Sequence, residues 1–204
     1  LMEYHKIETL YERDPQTFKV NPKILKNPTY GLLKQWEFTE KIDGMNIRII
    51  WENGKLSFAG RTNKANLPED LVNYLCTSID ARKMNEVFPE TNVIIYGEGY
   101  GAGIQKGGLY SPTKKFIAFD VLVENKWWLN WENLNNVTKK LEIDVVPYIG
   151  LMSLEDATEM VKSGFHTSLG NADSLSEGLV GRPQETLFDK NGKRLILKLK
   201  TRDF

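Results

Sequence analysis

Two β-prone runs, Met45 to Trp51 and Leu56 to Gly60, are joined by Glu52-Asn53-Gly54. Asn-Gly is the pair that tolerates left-handed backbone at the centre of a tight turn, so this spacing predicts an antiparallel hairpin. A hairpin here excludes a sheet built only from regular βαβ alternation. The other short apolar runs follow the same style. Trp36 to Thr39, Val93 to Tyr96, Lys115 to Val123, Val145 to Leu151, Glu177 to Gly181 and Arg194 to Lys200 all read as strands, and residues 4–11 read as an N-terminal edge strand. Asp14-Pro15, Asn21-Pro22, Asn27-Pro28 and Gly31 make residues 14–34 a loop, and residues 99–109 form a glycine-rich loop.

Helical patterns interrupt the strands three times. Pro68, Glu69 and Asp70 open a helix expected to run over residues 68–88, with Leu71, Leu75 and Ile79 on one face. Residues 131–141 form a second. Ser153 with Asp156 resembles a capping box, and Gly164 stops the third helix. Many strands with helices inserted predict an α+β fold of largely antiparallel sheets with flanking helices.

The 204 residues carry 27 basic and 27 acidic side chains, a balance that argues against electrostatic coating of nucleic acid but leaves room for a local basic patch. The single cysteine, Cys76, excludes a disulfide framework and is expected to be a buried thiol. There is no long apolar run and no secretory leader, so the expectation is a cytoplasmic protein with no membrane contact.

The chemistry centres on Glu40-Lys41-Ile42-Asp43-Gly44, a lysine between acids at a strand entrance. Such a lysine can be a covalent nucleophile once it sheds its proton, and a solvated loop lysine is the alternative. Four later stretches also place polar residues at strand ends: Gly97-Glu98-Gly99, Phe119-Asp120, Glu177-Gly178-Leu179-Val180 and Lys198-Leu199-Lys200. Strand alternation puts Phe119 and Asp120 on opposite faces and Lys198 and Lys200 on one face. Taken singly, Phe119 is more often core, paired lysines are usually a solvated face, and Glu98 and Glu177 could be surface acids.

In this order the five segments resemble motifs I, III, IIIa, IV and V of the covalent nucleotidyltransferase superfamily, the polynucleotide ligases and capping enzymes. Within it, the chain is most similar to the phage-type, nick-sealing RNA ligases. Asn46 completes their Lys-x-(His/Asp)-Gly-x-Asn pattern, Arg61 matches an arginine just after the hairpin, and Gly101 to Lys106 resembles their Gly-x-Gly-Ile-Gln-Lys segment. The resemblance implies a ligase-type nucleotidyltransferase fold around a nucleotide pocket. The chain departs from the family by ending just beyond motif V, so one domain over residues 1–204 is expected, with neither the OB domain of DNA ligases and capping enzymes nor the C-terminal helical domain of the nick-sealing RNA ligases. The resemblance leads to the expectation of a monomer from a virus- or phage-encoded source.

It further implies that Lys41 takes AMP from ATP with a divalent ion (Mg²⁺ or Mn²⁺), passes it to a 5′-phosphate end, and that a 3′-hydroxyl then displaces it. RNA ends, nicked or single-stranded, are the expected partner. Lys198 and Lys200 would favour the neutral Lys41 amine and neutralise the transferred phosphate. Glu177 would hold the metal. Glu40 and Ile42 would flank the nucleotide, Glu98 would bind ribose and Phe119 would stack on adenine. Asp43 and Asp120 would orient their neighbours, while Asn46 and Arg61 would place the phosphate or the 3′ end. Lys106, Lys114, Lys115, Lys193 and Arg194 are candidates for backbone contacts or simply solvated surface. A minimal DNA ligase and a non-catalytic end-binding module on this fold are the competing readings.

Overall fold

The computed structural model describes residues 2–170 and 173–204. In chain order the strands are β1 (Glu8–Thr9), β2 (Tyr11–Arg13), β3 (Val20–Leu25), β4 (Trp36–Glu40), β5 (Met45–Glu52), β6 (Lys55–Ala59), β7 (Val93–Tyr100), β8 (Lys115–Val123), β9 (Trp127–Trp128), β10 (Tyr148–Met152), β11 (Gly178–Arg182) and β12 (Leu197–Lys200). The helices are α1 (Glu69–Ser78), α2 (Ala81–Val87), α3 (Trp131–Leu141) and α4 (Leu154–Ser163). The fold is α+β with antiparallel sheets, as expected. One pairing, β1 with β12, is parallel.

The chain divides into two compact units. One comprises Asp43–Val146 with the N-terminal residues up to Tyr4, and the other His5–Ile42 with Pro147–Phe204. The first unit is a sheet in the order β6-β5-β7-β8-β9. The predicted hairpin joins β5 to β6, and Asn53 and Gly54 both take positive φ. Ile47, Ile49 and Trp51 of β5 and Val93 and Ile95 of β7 point into one core with Leu71, Leu75, Met84, Leu134 and Leu141 of the helices. Alternation then sends Asn46, Arg48, Tyr96 and Glu98 to the opposite face.

β8 breaks this alternation. Phe116 and Ala118 belong to the core, and so does Val121. A register shift lies between them: Tyr96 faces Asp120 and Gly97 faces Ala118, so Phe119 has no residue opposite it. This β-bulge flips the parity of the strand. Phe119 and Asp120 therefore both turn away from the core, and the expectation that they occupy opposite faces is corrected.

The second unit carries the sheet β1-β12-β11-β4-β10 and the two-stranded β2-β3 ribbon. Trp36 and Phe38 of β4, Leu179 of β11 and Leu197 and Leu199 of β12 pack against Ala157 and Val161 of α4. Lys198 and Lys200 alternate to the other face.

Three local expectations shift. Residues 68–88 form two helices, because Asp80 accepts a hydrogen bond from Arg82 N and caps a fresh start. Residues 20–25 are strand despite Pro22, which an outer two-stranded ribbon tolerates. Cys76 is exposed on α1 rather than buried. Among the described residues no helix is long and apolar enough to cross a membrane.

Candidate functional site

Lys41 follows the last residue of β4, and its backbone N–H donates to Gly178 O at 2.9 Å. Its Nζ lies 3.1 Å from each carboxylate oxygen of Glu177, the residue that leads into β11. Gly178 lets β11 lie close against β12: its φ is +152° and a Cβ there would sit 1.9 Å from Leu199 O. The same close strand pairing sets Gly178 opposite Lys200 and Val180 opposite Lys198.

Both strand lysines are only partly exposed. Burial pulls the Lys198 pKa down to about 8, helped by the positive charges of Lys200, Lys41 and Lys6. Burial also lowers Lys200, with Arg202 and Lys41 adding to it and Glu177 and Asp203 opposing. Asp203 is itself held by Arg13 through two bonds of 2.9 and 3.0 Å. Two ammonium groups kept short of full hydration beside Lys41 favour a polyanion in their midst.

Glu40 is 1% exposed. Each of its carboxylate oxygens is engaged: Thr167 Oγ1 donates to one at 2.6 Å and Ser168 N to the other at 2.8 Å. Ile42, two residues on, is buried as well. Thr167 is a site residue that sequence reasoning missed, since 127 positions separate it from Glu40 and nothing local marks it.

In the other unit, Asp43 N donates to the Tyr110 hydroxyl at 3.2 Å. Gly44 lies against β7, and a Cβ there would be 2.2 Å from Gly99 O and 2.9 Å from Glu98 Cγ. Asn46 faces Glu98 across the β5–β7 pair. Among the described residues, Asn46 Oδ1 is a buried acceptor with no hydrogen-bond partner, an unusual state that calls for a donor.

Phe119 is reached by Tyr4, whose ring meets it edge-on at 5.0 Å. The Tyr4 hydroxyl donates to Asp120 Oδ2 at 2.7 Å, and Asp120 is fully buried. Tyr4 also packs on Tyr96 at 4.9 Å and Trp128 at 5.7 Å. The N-terminal segment thus braces Phe119 and Asp120 together, a role invisible in sequence. Arg61 is exposed in the loop after β6.

The structure thins the list of basic candidates. Arg194 is buried and donates to His5 Nε2 at 3.2 Å, and Lys193 pairs with Glu8 at 3.2 Å. Lys114 pairs with Asp70 at 2.8 Å. Lys106 and Lys115 stay exposed.

Among the described residues no three His, Cys, Asp or Glu side chains cluster as a metal cage. Glu177 alone still suits Mg²⁺ or Mn²⁺, because such ions keep several waters and complete their shell with one carboxylate and substrate phosphates.

A family model described as RNA ligase matches residues 34–200. Several solved RNA ligase structures from Naegleria gruberi share the fold. A mutant with ATP and Mn aligns with a TM-score of 0.69 and 19% identity over 97% of this chain and 60% of that one. A mutant with AMP and Mn gives 0.67 and 18% over 96% and 61%, and the protein with PPi gives 0.67 and 18% over 98% and 62%. The chain spans about three fifths of the length of these proteins.

Proposed function

Since this chain belongs to the RNA ligase family, we propose that residues 1–204 act as one nucleotidyltransferase domain that transfers AMP from ATP to Lys41 and then to a 5′-phosphate RNA end. The observation that carries the reading is the Lys41–Glu177 contact, with Lys198 and Lys200 on the adjoining strand of the same unit.

Lys41 must lose a proton before it attacks. The Nζ–phosphorus bond then forms as the bond from the α-phosphorus to the bridging oxygen breaks, and pyrophosphate leaves. Lys198 and Lys200 neutralise charge on the phosphates. Glu177 holds the divalent ion, which polarises phosphate oxygens when bound. The backbone of Glu40 and the side chain of Ile42 border the base.

Glu98 takes the ribose hydroxyls and Phe119 stacks on adenine, braced by Tyr4. Asp43 orients the nucleophile's loop. Asn46, with its unpaired acceptor, and Arg61 place the nucleic-acid ends for the final step, in which a 3′-hydroxyl attacks the adenylylated 5′-phosphate and AMP departs. The solved relatives with ATP, AMP, Mn and PPi support this choice of donor, metal and leaving group. Asn46, Arg61 and the Gly101–Lys106 loop favour the phage-type nick-sealing branch over a DNA ligase.

The test is intact mass after incubation with ATP and Mg²⁺, beside Lys41→Ala. A gain of about 329 Da that the variant lacks supports the covalent step. No adduct from ATP, in a protein that is not already adenylylated, overturns it and leaves an end-binding module.

A further inference from the structure

We propose that Arg48 is a positioning residue for strand sealing: buried in β5, it holds the loop that follows β6 and so aims Arg61. The inference rests on the reading of Arg61 as a contact to the nucleic-acid end.

Arg48 is 0% exposed. Its Nε donates to Gly60 O at 2.9 Å, and its Nη2 donates to Asn63 Oδ1 at 2.8 Å. These two anchors bracket Arg61, one residue before it and two after. Among the described residues, no hydrogen bond or ion pair ties down the Arg61 side chain itself. Where its guanidinium reaches is thus set by the backbone beneath it.

The loop is also folded tightly on itself. A Cβ on Gly60 would lie 2.7 Å from the Ala65 Cβ, and Ala65 N donates to Thr62 O at 3.3 Å.

Arg48 is the one charged side chain among the fully buried residues of β5. Its neighbours Ile47, Ile49 and Ile50 are buried aliphatics. A guanidinium taken out of water is costly unless its donors are matched, so a branched apolar residue would serve the strand better. The rigid fork of an arginine, however, can span a carbonyl and an amide oxygen at once, which a lysine ammonium cannot do in fixed geometry. Arg48 also belongs to the face that carries Asn46 and Glu98, with Tyr96 directly opposite it on β7. The clamp is therefore built on the same rigid strand as the motif residues, which gives the loop a common reference with them.

The experiment measures joining of a pre-adenylylated nicked RNA duplex, with lysyl-AMP formation and thermal unfolding recorded beside it. The variants are Arg61→Ala, Arg48→Lys, Asn63→Ala and the two double variants with Arg61→Ala. Small misplacements of a positioning group cost on the order of 10²-fold in rate, so Arg48→Lys and Asn63→Ala are each expected to slow joining at least tenfold more than lysyl-AMP formation. Each is expected to add nothing once Arg61 is alanine, because a group acting through Arg61 has no route left.

Slowing that multiplies in the double variants overturns the inference and makes Arg48 a merely structural residue. Impaired Arg61→Ala beside single variants at the wild-type rate also overturns it, while the Arg61 reading stands. Wild-type joining by Arg61→Ala removes that reading and the inference with it. Asn63→Ala, at an exposed position, carries the test if Arg48→Lys does not fold.

Discussion

Glu177 presents both of its carboxylate oxygens to the Lys41 Nζ at 3.1 Å. The acid proposed as metal holder is therefore also the hydrogen-bond partner of the proposed nucleophile. A cation held at Glu177 would compete with the ammonium for the same oxygens, so metal arrival and release of the lysine would be one exchange.

This exchange makes Glu177→Gln informative. If Glu177 served only to hold Lys41, the amide would free the amine and adenylylation would quicken. A metal-holding role gives the reverse: lysyl-AMP formation falls about 10²-fold, and half-saturation shifts to higher Mg²⁺. Single-turnover rates across a Mg²⁺ titration separate the two.

Lys198 gives a pH dependence with a definite sign. Its folded pKa of about 8 lies below the ordinary lysine value, with burial as the first cause. The charged form is thus disfavoured by folding, and its cost is present in full below pH 8. That cost is relieved as pH rises from 8 toward the unfolded value of about 10.4. Lys198→Met is expected to stabilise the protein at pH 7 and to flatten stability between pH 8 and 10. The side chain is partly solvated, so the gain is about 1 kcal/mol, or ~2–4 °C in Tm. The same variant should lose lysyl-AMP formation, and the wild-type rate should decline above pH 8 as Lys198 discharges.

The two motif glycines should not tolerate alanine. A Cβ at Gly178 would meet Leu199 O at 1.9 Å, and one at Gly44 would meet Gly99 O at 2.2 Å. Both contacts are backbone and cannot swing away, so each variant is expected to lose about 2–4 kcal/mol and its adenylylation. Gly54→Ala is the control. It has positive φ but nothing within 4 Å, and should cost about 1 kcal/mol with activity kept. Denaturant melts and adduct yield check all three.

Thr167→Val removes the hydroxyl that donates to buried Glu40. A buried carboxylate short of one donor costs about 1–3 kcal/mol. Because Glu40 borders the proposed base site, the KM for ATP should rise more than kcat falls, and Thr167→Ser should restore both. Equal loss in both variants would argue against the hydrogen bond.

The sequence was informative where the physics is local. The Asn53-Gly54 turn, the Ser153 cap and the alternation of Lys198 with Leu199 depend on neighbours a few residues apart, and all three appear as expected. The Phe119 bulge does not. No glycine or proline marks it, and it is visible only when β7 and β8 are set in register. Tyr4, Thr167 and Tyr110 escaped for the same reason. Their partners lie 116, 127 and 67 positions away, and a lone tyrosine or threonine carries no pattern that names a distant carboxylate or amide. Arg48 belongs to the same class: its partners Gly60 O and Asn63 Oδ1 come together only once the loop after β6 is folded.

The strand order of the second unit also has a consequence for biosynthesis. β4 ends at Glu40, yet both strands that flank it, β10 and β11, come from beyond residue 147. A ribosome releases Lys41 before both of these neighbouring strands, and residues 43–146, the bulk of the other compact unit, emerge in between. Lys41 therefore gains Glu177 and Gly178 only after residues 43–176 have been made, so a nascent chain that stops short of them carries the lysine without its partners.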